Sequence, residues 1–211
     1  MADKLRHYAL SLVLPLLAMA VATYTGGMLL VARPNGEEAV SAGLAERRTP
    51  AGDALTMVGS SLSDTSVVVA LTAVAVGALV WRRRRWREAL FLVAAVWSQS
   101  LIFLATSALV ARQRPPVPHL DVAPPTSGFP SGHVSAAVCC YGALAFVLTA
   151  RLRGRAARAA VWTVAVAVPL VVAFSRLYRG MHLVTDVVWG LLVGVFCLVT
   201  AARAILGRPR A

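Results

Sequence analysis

Three short polar islands interrupt an otherwise apolar chain: Arg114-Pro115, Pro130-Ser131-Gly132-His133, and Ser175-Arg176 followed by His182 and Asp186. Two histidines, a carboxylate and two arginines form the set needed to hold a phosphate and break its ester bond. In Ser175-Arg176-x5-His182-x3-Asp186 the last two residues are four apart, so on the opening turn of a helix they share a face. Asp186 is expected to accept from one ring nitrogen of His182, fixing the tautomer and leaving the other lone pair free to attack phosphorus. Arg176 falls at the outer end of the preceding apolar run, with a guanidinium fork suited to phosphate oxygens.

The second island reads as the start of a helix. Pro130 ends the preceding loop, Ser131 is a good N-cap, and Gly132 lets the backbone approach a ligand. The first N–H groups and the helix dipole then point at an anion. His133 follows, placed to give a proton to a leaving group. Arg114 completes a cationic cradle around a pentavalent transition state. Each residue alone is more often structural: a histidine at an interface, a snorkelling arginine, a serine cap. Four fixed positions, however, recur by chance in roughly 1 of 160,000 starts, and Pro-Ser-Gly-His is independently about as rare. Arg-Pro alone is weak and counts only in their company.

These islands must be positioned by membrane helices. The 211 residues are 58% hydrophobic and 14% charged, with mean hydropathy +0.71, a composition of integral membrane proteins. Six long uncharged runs follow one another: Tyr8–Ala32, Thr65–Trp81, Ala89–Ala111, Val134–Ala150, Ala159–Ser175 and Val187–Ala202. A helix needs about 20 residues to cross the hydrocarbon core, and the shorter runs extend at their outer ends. The spacing therefore predicts an all-α, polytopic protein of six transmembrane helices in one bundle, residues 1–211 forming a single domain. The first run, with Lys4 and Arg6 ahead of it and Ala18-Met19-Ala20 inside it, has some look of a signal peptide. It is too long for an ordinary apolar signal region and reads as a retained helix.

The net charge of +12 is placed as a membrane protein places it. Most cations lie at the N-terminus, in Arg82–Arg87, in Arg151–Arg158 and at the C-terminus, with Asp3 and Glu88 their only acidic companions. This positive-inside pattern puts both termini in the cytoplasm and the loops after the first, third and fifth runs outside. Nucleic-acid binding is excluded as the poorer account, since the basic clusters lack aromatic platforms and sit at helix ends. Parity then matters: the loops after the third and fifth runs lie on one side, and all three islands border those loops.

The connections add detail. Residues 33–53 form an outer loop of mixed charge, and Ala54–Ser63 is expected as an interfacial helix, because Asp64 is costly at bilayer depth. The loop from Arg112 to Pro130 holds more than half of the prolines and is stiff enough to hold Arg114 in place. Gly190 and Gly194 make a small-xxx-small pair, expected to pack a neighbouring helix of the same chain rather than form a dimer seam. Cys139, Cys140 and Cys197 read as apolar fillers, with neither disulfide nor metal spacing.

On these motifs the chain resembles the type 2 phosphatidic acid phosphatase superfamily, which includes lipid phosphate phosphatases and bacterial phosphatidylglycerophosphate and undecaprenyl diphosphate phosphatases. The family pattern is Lys-x6-Arg-Pro, Pro-Ser-Gly-His and Ser-Arg-x5-His-x3-Asp, and the second and third match in full. The resemblance implies His182 as a nucleophile forming a phosphohistidine, Asp186 as its partner and His133 as general acid. It implies Arg114, Ser131, Gly132 and Arg176 as phosphate-binding residues, and no metal or other cofactor. The first motif departs: its lysine should fall at 107, where this chain has Ser107. Arg112 or Arg179 is a candidate replacement.

The expected activity is a metal-independent lipid phosphate or diphosphate phosphatase, its site outside the cytoplasm. Its partners are membrane lipids and a polyprenyl diphosphate, phosphatidic acid or phosphatidylglycerophosphate type substrate; the oligomeric state stays open. Two other classes compete. A metal hydrolase would use His133, His182 and Asp186 as ligands, against the repulsion of the arginines. A non-catalytic anion- or lipid-binding protein would retain the scaffold, with Ser107 marking loss of activity.

Overall fold

The computed structural model describes residue 6 and residues 9–33, 36–83 and 85–207. Lys4, Arg84, Arg208 and Arg210 of the basic clusters lie outside the described residues. The described residues are mostly helical. A π-helical turn (Ala9–Val13) leads into α1 (Leu14–Ala32), followed by α2 (Glu38–Glu46), α3 (Pro50–Ser61), α4 (Thr65–Arg83) and α5 (Trp86–Leu109). After a long loop come α6 (Gly132–Thr149), α7 (Arg155–Tyr178) and α8 (Val184–Ala201), the last continued by a π-helical turn (Ala202–Leu206).

Five spans are long and apolar enough to cross a membrane: Leu10–Ala32, Trp86–Leu109, Gly132–Thr149, Arg155–Tyr178 and Val184–Leu206. A sixth arises if α3 and α4, bent by 41° at the break between them, count as one span. The helix expected over Ala54–Ser63 is α3, which starts four residues earlier and ends two earlier, and it packs along α7. Its start follows local rules. Pro50 opens the helix, and the Thr49 hydroxyl accepts from the Gly52 N–H at 3.1 Å, a satisfied N-cap with proline where its missing N–H costs nothing.

α6 is the hub, packing against α5, α7 and α8. Phe91, Leu92 and Ala95 of α5, Cys139, Cys140 and Ala143 of α6, and Val193, Cys197 and Ala201 of α8 form one buried core. The three cysteines are free thiols, filling volume as small apolar groups do. Gly190 and Gly194 let α8 lie on α6 within this chain. A Cβ at Gly190 would stand 2.7 Å from the Ser131 carbonyl oxygen, and one at Gly194 would stand 2.7 Å from the Val138 Cβ. Elsewhere the outward faces are apolar, with Leu29 of α1, Leu101 of α5, Leu170 of α7 and Leu192 of α8 all more than half exposed. Such a surface suits hydrocarbon rather than water.

Candidate active site

All three islands converge on a cavity of about 550 Å³ at one end of the bundle. Arg114 enters from the Pro-rich loop, Gly132 and His133 from the start of α6, Arg176 from the last turn of α7, and His182 from the link between α7 and α8. That link is tight: Gly180 sits at φ +72°, left-handed backbone that a Cβ would strain. Leu120 N–H donates to the Arg179 carbonyl across it at 3.1 Å. The lining also includes apolar side chains, Val68 and Val69 of α4, Val96 and Phe103 of α5, and Ala136 of α6, with Gln99 and Ser100 of α5 among them.

His182 is buried, and its Nδ1 lies 2.7 Å from the Gly128 carbonyl oxygen. A carbonyl only accepts, so Nδ1 carries the proton and Nε2 keeps its lone pair. Burial, reinforced by the charges of Arg176 and Arg114, pushes its pKa well below the usual histidine value, and the ring is neutral.

The expected hydrogen bond from His182 to Asp186 is not formed: Nδ1 and Oδ2 are 3.9 Å apart. Both carboxylate oxygens of Asp186 are engaged elsewhere. Oδ2 accepts from the Leu183 N–H at 2.7 Å, the third residue of the helix reaching back to its N-cap. Oδ1 accepts from Arg112 at 2.6 Å. The tautomer of His182 is thus fixed by a loop carbonyl, and Asp186 lies beside the ring as a buried carboxyl group.

Ser131 occupies the N-cap position of α6, but its hydroxyl caps nothing. Its N–H donates to the Asp186 carbonyl at 3.0 Å, tying α6 to α8, while its buried Oγ has no hydrogen-bond partner. Gly132 is needed for packing as well as for ligand approach, since a Cβ there would meet the Phe103 ring at 2.9 Å. His133 has its Nε2 3.3 Å from Asp64 Oδ1.

The arginines divide into two kinds. Arg114 donates to the Met181 carbonyl at 2.7 Å, and Arg176 donates to Ser60 Oγ and to Asp121, each at 2.9 Å. Both line the cavity, and both keep a buried Nε without a partner. Arg112 instead bridges Glu37, Thr185 and Asp186, and Arg179 forks onto Asp121 while donating to the Asp53 and Leu120 carbonyls. Neither lines the cavity. The two candidates for the role of the lysine absent at Ser107 thus stand outside the cavity lining, engaged with carboxylates. Ser107 is buried and donates to the Leu104 carbonyl at 3.2 Å.

Several residues here escaped the motif reading: Asp64, Asp121, Glu37, Ser60 and the Gly128 carbonyl. Burial alone would raise the pKa values of Glu37 and Asp121. Hydrogen bonds from Thr185 and Arg112 to the first, and from Arg179 with the charge of Arg176 to the second, outweigh it and hold both below the usual range. The one available signal was scarcity: a carboxylate among membrane helices needs a partner. Among the described residues, no three His, Cys, Asp or Glu side chains come together as a metal would require.

The PAP2 superfamily pattern matches residues 88–210. Phosphatidylglycerophosphatase B of Bacillus subtilis (strain 168) is 26% identical over 190 residues, covering 88% of each chain. The bundle superposes with TM-score 0.76 on the crystal structure of a transmembrane PAP2 type phosphatidylglycerolphosphate phosphatase from Bacillus subtilis. That likeness has 23% identity and covers 100% of this chain and 99% of that one. Aquifex aeolicus LpxE gives 0.61 at 18% identity, over 76% of this chain and 90% of its own. These two likenesses establish a shared fold, and the family match spans more than half of the sequence. The chain belongs to the PAP2 superfamily of integral-membrane lipid phosphatases.

Proposed function

We propose that the chain, acting as one domain over residues 1–211, hydrolyses a lipid phosphate without a metal and through a phosphohistidine on His182. The observation that carries this is the mixed lining of the cavity. Arg114, Arg176, His133 and His182 share it with the apolar Val68, Val69, Val96, Phe103 and Ala136. A lipid phosphate likewise joins a charged headgroup to an apolar tail.

In the first step His182 Nε2 attacks phosphorus. The bond from phosphorus to the ester oxygen breaks, its electron pair goes to that oxygen, and His133 supplies the proton. Arg114, Arg176, the Ser131 hydroxyl and the first N–H groups of α6 neutralise the equatorial oxygens. In the second step water attacks the phosphohistidine, the P–N bond breaks and its electron pair returns to Nε2. His133 takes a proton from the water, and inorganic phosphate leaves. The unpartnered donors at Arg114 Nε, Arg176 Nε and Ser131 Oγ support an anionic ligand, since buried polar groups ordinarily have a partner. The charge asymmetry of the loops supports a site facing outside the cytoplasm, with both termini inside. The name of the Bacillus subtilis relative favours a glycerophospholipid substrate of the phosphatidylglycerophosphate kind.

The test is phosphate release by purified full-length protein in detergent with EDTA. Phosphatidic acid, phosphatidylglycerophosphate and undecaprenyl diphosphate are offered side by side, with His182→Ala as blank. Release that depends on His182 and survives EDTA is expected. Release abolished by EDTA would require a metal, and no release from any lipid would favour a scaffold that binds without turning over.

A further inference from the structure

Asp64 belongs to neither phosphate-binding island, yet it lines the cavity. Two observations place it at the leaving-group side. Its Oδ1 is 3.3 Å from Nε2 of His133, the group that in the reading above protonates the departing oxygen. It also lies at the bend between α3 and α4, one turn ahead of Val68 of the cavity lining. The Val68 N–H donates to the Asp64 carbonyl at 3.0 Å. Asp64 thus lies beside both the proton donor of that scheme and an apolar residue of the lining, the neighbourhood expected for the atom that links phosphate to lipid.

Resting on that reading, we propose that Asp64 makes this enzyme selective for monophosphate esters of lipid alcohols over diphosphates. The two substrates differ in what departs. A monophosphate expels an alkoxide, a strong base that needs a proton. A diphosphate, attacked at its terminal phosphorus, expels a lipid monophosphate, a weak base that needs positive charge rather than a proton. The site offers a histidine at that position and, beside it, a carboxylate. The cations lining the cavity are Arg114 and Arg176, and Asp121 is already seated on Arg176. Where the family pattern has a lysine, Ser107 supplies no charge. A second phosphate would therefore meet Asp64 with only Arg176 near it, a cation already shared by Asp121 and the first phosphate.

Like charges a few ångströms apart in a partly solvated site set a discrimination on the order of 10-fold. Farnesyl phosphate and farnesyl diphosphate share one tail and differ only in the number of phosphates. kcat/KM for each, with phosphatidic acid alongside, is measured on full-length wild type, Asp64→Asn and His182→Ala. Wild type should favour the monophosphate by about 10-fold or more, and Asp64→Asn should bring the two within a few-fold of each other. The ratio is internal to each preparation, so a reduced folded fraction cancels. Equal or better use of the diphosphate by wild type overturns the proposal. So does an Asp64→Asn protein that slows both substrates with an unchanged ratio, because Asp64 would then only orient His133. Hydrolysis of phosphatidic acid but of neither farnesyl compound overturns the proposal, since the selectivity would then lie in the tail. Hydrolysis of none of the three, or turnover that survives His182→Ala, would instead sink the underlying phosphatase scheme.

Discussion

Two arginines face the cavity and two stand behind it, and the difference lies in their partners. Arg114 and Arg176 each keep a buried Nε free. Arg112 has both terminal nitrogens taken, by Thr185 and Asp186 on one and Glu37 on the other. Arg179 has all three of its nitrogens engaged. A cation with an open donor is available to a ligand, whereas one closed off by carboxylates is a strut. The struts join parts far apart in sequence: Arg112 ties the loop at Glu37 to the first turn of α8, and Arg179 ties the Pro-rich loop at Asp121 to the start of α3. They hold the cavity's shape without facing it.

The contrast breaks most sharply at the chemistry itself. His182→Ala should lower turnover at least about 10³-fold while leaving the bundle folded, because it removes the nucleophile of the proposed scheme. Phosphate release and thermal unfolding on one preparation check both halves. Next comes Arg114→Ala, expected to cost roughly 10²–10³-fold in kcat/KM with a small change in Tm, as for loss of one donor to transition-state charge. Arg112→Ala should behave oppositely. It leaves Glu37 and the buried Asp186 without their cation, and removing one partner of such a pair costs about 3–5 kcal/mol of stability. The folded fraction and Tm should fall first, with activity per folded molecule affected less. Equal behaviour of the two variants would erase the division between ligand and strut.

The smallest expected effect is a shift in pH dependence. Protonation of His182 removes its nucleophilic lone pair, so activity is lost as pH falls through its pKa. Burial, with Arg176 and Arg114, holds that pKa below the usual value, so the acid limb of the bell-shaped profile should lie below the ordinary histidine range. Arg114→Ala removes one of those charges and should move the acid limb upward. An acid limb that stays fixed would mean that another group sets it.

The sequence made the bundle legible because lipid leaves few choices: long apolar runs must be helices, and charge asymmetry orders them. It made the islands legible because their residue types recur at fixed spacing, and parity put them at one end. What stayed hidden was pairing across the fold. Glu37 lies 75 residues from its partner Arg112, and Asp64 lies 69 from His133, so only packing brings them together. The partner of His182 was misread for a local reason. Spacing of four puts Asp186 on the same face, but helix capping and Arg112 claim its oxygens first. Ser107 was visible as a departure, and the structure adds that the nearby arginines are already committed elsewhere.

The most direct test of the account is capture of the covalent intermediate. Full-length protein with EDTA is mixed with phosphatidic acid labelled with ³²P in its phosphate, quenched within milliseconds in alkaline denaturant, and separated on a gel. The account predicts label on the wild-type chain that is stable to alkali, lost in acid and absent from His182→Ala. Label that persists in His182→Ala, or phosphate release by wild type with no labelled chain at any quench time, would contradict it.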